Sequence, residues 1–306
     1  MRSGDTRALA RAISVVEDRS PGWSMLLKAL FPHSGRARVI GLTGAPGAGK
    51  STLVDELAKY YRQQNRTLGI IAVDPTSPYT GGAILGDRIR MQQHHSDPGI
   101  YIRSMATRGS LGGLARATAD VSTILDAAGR DLVLIETVGV GQDEIDVVRL
   151  ADTTVVILVP GMGDDVQTIK AGIMEIADVF VINKTDREGG ERVEREIRGL
   201  QSLAPRDDGW TPPIVKTVAC EGLGIAELAG AIAEHEQNLR KDQRAARRSV
   251  EQWQRRLLEM VRDSLLEKVR ERCEANLSRY AVEVAEHRRD PYTLVEEIVD
   301  AIGDRK

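Results

Sequence analysis

Gly44-Ala45-Pro46-Gly47-Ala48-Gly49-Lys50-Ser51 is a complete G-x-x-x-x-G-K-[ST] run, and its flanks restrict what the surrounding chain can become. Val39 to Thr43 before it is short, apolar and rich in strand formers, while Thr52 to Ala58 after it has helical spacing. Strand, glycine turn and helix in that order predict one unit of a parallel α/β sheet, with helix amino-terminal N–H groups aimed at phosphates. Gly44, Gly47 and Gly49 let the backbone amides turn inward, Lys50 reaches the outer phosphates, and the Ser51 hydroxyl suits Mg²⁺. The candidate phosphate-binding set is Gly44, Ala45, Pro46, Gly47, Ala48, Gly49, Lys50, Ser51 and the following Thr52.

The base preference is written at Asn183-Lys184-Thr185-Asp186, directly after the apolar run Val179 to Ile182. An Asp carboxylate at a strand's carboxyl end can accept from guanine N1–H and from its exocyclic amine. Adenine offers an acceptor at N1 and no amine at C2, so it would leave that carboxylate unpaired. Asn183 is expected to brace the loop and contact the base edge, and the aliphatic stem of Lys184 to cover its face. An ordinary Asn/Asp turn matches four letters as well, but position after a phosphate loop in an α/β pattern favours GTP over ATP. Ala219, closing a further strand candidate, belongs to the same nucleotide-binding set.

Between these motifs lie candidates for metal binding and γ-phosphate sensing. Leu132-Val133-Leu134-Ile135 reads as a buried strand ending in Glu136-Thr137-Val138-Gly139. A carboxylate at Glu136 would hold Mg²⁺ directly or through water, and the Gly139 N–H can donate to a γ-phosphate. Asp74, closing the run Gly69 to Val73, and Asp87 are further metal candidates; either residue also suits a helix cap or a turn.

Strand candidates at 38–43, 68–73, 132–135, 154–159, 179–182 and 214–219 alternate with helical or glycine-rich stretches, which argues for a mostly parallel sheet covered by helices on both faces. Residues 1–36 read as an N-terminal helical segment, with Leu9, Ala10, Ile13 and Val16 on one face and a second short helix starting at Ser20-Pro21. Residues 37–230 form the predicted nucleotide-binding domain. Residues 231–306 are helical and heavily charged; their apolar stripe through Leu257, Leu258, Val261 and Leu265 needs something to pack on, either this domain or a second copy.

With 306 residues, 42% hydrophobic and a net charge of −3, the chain has enough material for one large α/β domain with helical additions and gives no reason to expect nucleic-acid binding. Cys220 and Cys273 have no paired spacing, and no apolar run reaches signal-peptide or membrane-spanning length, so the cytoplasm is the expected compartment.

Together these segments resemble the MeaB/ArgK family, related to the methylmalonic aciduria type A protein: G-protein chaperones of adenosylcobalamin-dependent acyl-CoA mutases. The matching text includes Pro32 to Arg36, Ile40 to Leu53, Ala72 to Ser77, Gly81 to Met91, Ile102 to Gly109, Glu136 to Gln142, Pro160 to Asp165, Gln167 to Gly172 and Asn183 to Asp186, closing with Asp290-Pro291-Tyr292. The resemblance implies a P-loop NTPase fold of the SIMIBI class with GTP/GDP and Mg²⁺, and a homodimer built through the C-terminal arm. It implies a gatekeeper that loads intact adenosylcobalamin and helps clear damaged cofactor from a mutase, with slow GTP hydrolysis alone and stimulation by that partner. Methylmalonyl-CoA, isobutyryl-CoA and 2-hydroxyisobutyryl-CoA mutases are all candidate clients. Ser51, Asp74, Asp87 and Glu136 match the Mg²⁺ and switch positions, and Lys170 lies in a segment resembling a third switch, although a solvated helix lysine reads the same way. Lys50, Glu136, Gln142 and Lys170 form the expected catalytic set; Gln142 would orient the water, or instead contact a partner or cap a helix. Other readings are a GTP-dependent regulatory binding module, a nickel-inserting GTPase and a small-molecule kinase.

Overall fold

The computed structural model describes residues 5–74, 97–106, 113–137, 150–161, 176–203, 206, 208–241 and 244–303. They divide into two compact units, Met1–Asp242 and Gln243–Lys306.

The first unit is built on a seven-stranded sheet: β1 (Arg38–Gly44), β2 (Leu68–Asp74), β3 (Ile100–Ala106), β4 (Leu132–Glu136), β5 (Thr153–Leu158), β6 (Val179–Asn183) and β7 (Ile214–Thr217). Its order is β3-β2-β4-β1-β5-β6-β7, and every strand pair is parallel. The central β1 has β4 on one side and β5 on the other, which is where a doubly wound sheet opens a crevice at its strand carboxyl ends. The helices are α1 (Thr6–Glu17), α2 (Trp23–Leu30), α3 (Lys50–Gln63), α4 (Gly113–Ala127), α5 (Gly190–Leu203) and α6 (Ile225–Arg240).

Period-two alternation divides the strand side chains between two buried faces. Ile40, Leu42, Leu134, Val155, Ile157 and Val181 meet Leu53 and Leu57 of α3 and Leu228 and Ile232 of α6. On the opposite face Val133 and Ile135 meet Ile13 of α1 and Ile124 of α4, while Val156, Phe180 and Ile182 pack on Val193 and Ile197 of α5. The N-terminal helices are therefore part of the same unit. The Asp5 carboxylate caps α1 by accepting from the Arg7 and Ala8 amides. Helix α2 begins after Gly22, which holds a φ of +89°, rather than at Ser20-Pro21.

Strand β3 does not figure among the strand candidates. The expected boundary at 230/231 falls within α6, whose buried Ile225, Leu228 and Ile232 belong to the first unit, so the units part instead at Asp242/Gln243.

In the second unit the 42-residue helix α7 (Arg244–Ala285) turns back through His287, at φ +54°, into α8 (Pro291–Gly303). Asp290 caps α8 by accepting from the Thr293 amide at 2.8 Å, and Arg289 pairs with Glu297. Leu294 is buried, but Leu257, Leu258, Val261 and Leu265 are 45–71% exposed. No described helix is long and apolar enough to cross a membrane.

Candidate nucleotide site

Strand β1 delivers the glycine-rich loop to the carboxyl edge of the sheet, and α3 starts within it at Lys50. Two glycines are required by space as well as by φ. A Cβ on Gly44 would stand 2.2 Å from the Ile157 carbonyl oxygen, and one on Gly49, at φ +93°, would stand 2.3 Å from Asn183 Nδ2. Gly47 also has a positive φ of +77°. The loop is closed by the Ala48 amide donating to the Ala45 carbonyl at 3.1 Å. Pro46 and Gly47 are exposed at its tip, whereas Ala48 is buried beneath. Lys50 is 6% exposed, and its Nζ donates to the Gly44 and Ala45 carbonyls at 2.7 and 3.0 Å. The ammonium is thus stored under the loop whose outer side would take phosphate.

Ser51 opens the first turn of α3 and donates its hydroxyl to Glu136 Oε1 at 2.5 Å. Register explains the meeting: Leu42 of β1 lies opposite Glu136, and Gly44 ends two residues further on. These hydroxyl and carboxylate oxygens are hard donors close together at the edge of the loop, a set that fits Mg²⁺. Such an ion keeps several waters, so few protein ligands are needed. Ala72 of β2 also lies opposite Glu136, so the backbone of Asp74 closes β2 on this same sheet edge. Asp87, Gly139, Gln142 and Lys170 lie outside the described residues.

The base motif joins the phosphate loop through Asn183, which ends β6 and is 2% exposed. Its Nδ2 donates to the Ala48 carbonyl at 2.9 Å, and its Oδ1 accepts from Thr217 Oγ1 at 3.0 Å and from the Ala219 amide at 3.1 Å. One carboxamide therefore ties β6, the phosphate loop and the segment after β7 together. Lys184 occupies the left-handed region at φ +58° and donates from Nζ to the Gly47 carbonyl at 2.7 Å. Its stem spans from the base motif to the phosphate loop, and Asp186, two positions further along the chain, is exposed.

Asn183→Ala should lower the unfolding free energy by about 2–3 kcal/mol, because the buried Ala48 carbonyl and Ala219 amide lose their partner. Urea titration of the nucleotide-free protein measures this, and a loss below about 0.5 kcal/mol would contradict the bracing role.

Sequence reasoning did not single out three threonines that shape the site. Thr137 Oγ1 lies 3.1 Å from Thr43 Oγ1, and both are buried, locking β4 to β1 at the point where the loop begins. Thr217 fixes the Asn183 carboxamide and accepts at its carbonyl from the Thr185 amide, at 3.2 Å. Each lies at or just past the carboxyl end of its strand, beside the loop it positions.

A protein family model described as methylmalonyl Co-A mutase-associated GTPase MeaB matches residues 9–274. A Pyrococcus abyssi protein provisionally named a GTPase is 48% identical over 310 residues, covering 99% of this chain and 94% of its own. The mitochondrial methylmalonic aciduria type A homolog of Caenorhabditis elegans is 33% identical over 285 residues, covering 87% of this chain and 71% of its own. A crystal structure of a LAO/AO transport system kinase superposes with a TM-score of 0.71 at 27% identity, over 99% of this chain and 95% of that one. With the phosphate loop and base motif joined on one parallel sheet, these likenesses make the chain a GTPase belonging to the MeaB family of methylmalonyl Co-A mutase-associated GTPases.

Proposed function

We propose that this GTPase gates the loading of adenosylcobalamin onto an acyl-CoA mutase and helps that mutase shed damaged cofactor. The carrying observation is the Asn183 junction, which couples the base motif to the phosphate loop through bonds of 2.9–3.1 Å, so nucleotide occupancy acts on both at once. The mutase enters through the family's description. In this reading Gly44 to Thr52 cradle the phosphates, Asp186 reads guanine, and Lys184 covers the base beside Ala219. Ser51 and Glu136 would hold Mg²⁺, with Asp74 and Asp87 as further ligands, and the ion would supply charge neutralisation at the outer phosphates. Lys50 neutralises the outer phosphates. Gly139 contacts the γ-phosphate, Gln142 orients the attacking water, and Lys170 swings in when the partner orders its segment. Hydrolysis is slow without the partner. The work is done in the cytoplasm by a homodimer joined through α7, whose exposed stripe at Leu257, Val261 and Leu265 has the spacing of a helix–helix seam.

The test is phosphate release from GTP in Mg²⁺ buffer, with ATP as control, by the protein alone and with each of the three candidate mutases. Acceleration by one mutase identifies the client. A slow rate unchanged by all three, with GTP still bound, favours a regulatory binding module. The superposition on a transport system kinase gives a second reading its one specific support, and transfer of label from GTP to an amino-acid acceptor rather than to water would establish it.

A further inference from the structure

At the opposite end of β1 from the phosphate loop, where the strands begin, the first unit contains a cleft of about 520 Å³ between α3 and α6. Arg36, Arg38, Arg66 and Arg240 line it together with Tyr60 and Tyr61. Its remaining wall is apolar at Leu132, Ala229 and Ile232. Two carboxylates enter: Glu236 pairs with Arg38, and Asp131 Oδ1 lies 3.8 Å from Arg66. Arg36 and Arg240 are exposed and make no side-chain ion pair among the described residues. The carboxyl ends of α3 and α6 open toward the same space and contribute about one further negative charge between them. Four guanidiniums against two carboxylates and that partial charge leave the cleft net positive. Burial drives the Tyr61 hydroxyl well above its ordinary pKa, with Glu236 adding to the shift, so it remains a neutral donor.

We propose that this cleft is a second anion site, taking a small phosphate monoester whose apolar or aromatic body packs on Tyr60, Leu132 and Ile232 while Arg36 and Arg240 grip the phosphate. Arginine forks match phosphate oxygens in pairs, and a monoester anion fits a site with about one positive charge in excess. The volume is that of a site for a small organic ligand rather than for a bare ion. The nucleotide site cannot reach it: α3 alone separates Lys50 from Gln63 by about 20 Å.

Isothermal titration of the GDP-saturated protein with 1-naphthyl phosphate tests the proposal, with inorganic phosphate as head alone and 1-naphthol as body alone. The expected result is binding about tenfold or more tighter than either fragment, weakening with salt. Arg36→Gln/Arg240→Gln should lose about tenfold in that affinity with GDP binding unchanged. No binding up to about 1 mM probe, or equal binding by wild type and double variant, overturns the proposal. If the double variant loses GDP affinity as well, the single Arg240→Gln change, at an exposed side chain, carries the same comparison.

Discussion

Asp186→Asn should weaken GTP binding by about 10³-fold and make xanthosine triphosphate the better ligand, because one hydrogen bond loses its charged acceptor and the other becomes a donor facing a donor. Guanine presents N1–H and a C2 amine, both donors, and a carboxylate accepts from each. An Asn carboxamide can still accept from N1–H, but it sets its own N–H group against the C2 amine. Xanthine carries a carbonyl at C2, so the same carboxamide finds one donor and one acceptor in matching order. Asp186 is exposed, so the exchange should leave folding intact. Fluorescence titration with GTP and xanthosine triphosphate measures both affinities. If the variant holds GTP as wild type does, Asp186 is not the base reader. If it loses GTP without gaining the xanthine nucleotide, the residue acts on loop structure.

The parts legible in the sequence were those whose partners lie nearby in the chain or whose pattern is forced. Strands β1, β4, β5 and β6 are largely buried on both faces, and each carries a short, mostly apolar run that can be read without knowing its neighbours. Strand β3 was hidden by Arg103. That residue sits between Tyr101 and Met105 on the face they bury, which a strand pattern forbids for a lone cation, and it is tolerated there because Glu17 of α1 pairs with it. The partner lies 86 residues away, and no local window reveals it. The expected strand to residue 219 ends instead at Thr217, since the Ala219 amide is spent on Asn183 and the Val218 amide on the Leu223 carbonyl. At the site, residue types were readable because phosphate and guanine chemistry restrict them. The joining bonds were not: Asn183 reaches the Ala48 carbonyl 135 positions away, a contact set by which strand lies beside β1 and not by any motif. The Arg-lined cleft was invisible for the same reason, its arginines being scattered from Arg36 to Arg240 and gathered only by the strand order.

Lys50→Met should lower GTP hydrolysis by about 10³-fold while leaving the stability of the protein close to that of wild type, a pairing that separates a functional cation from a structural one. Lys50 is 6% exposed, and its ammonium donates to two carbonyls of its own loop. Keeping a charge there costs several kcal/mol of desolvation, and those two bonds recover only part of it. Methionine fills a similar volume without the charge; it forfeits about 1–3 kcal/mol at each carbonyl left without its donor and relieves the desolvation, so the two changes roughly cancel. Nothing in methionine replaces the ammonium at the outer phosphates, where charge concentrates as the γ-phosphoryl group leaves. Thermal unfolding should shift by no more than about 3 °C downward, and phosphate release measures the catalytic loss. A fall in the unfolding midpoint well beyond that would make Lys50 a structural strut of the loop. Hydrolysis retained within about tenfold would remove it from the reaction.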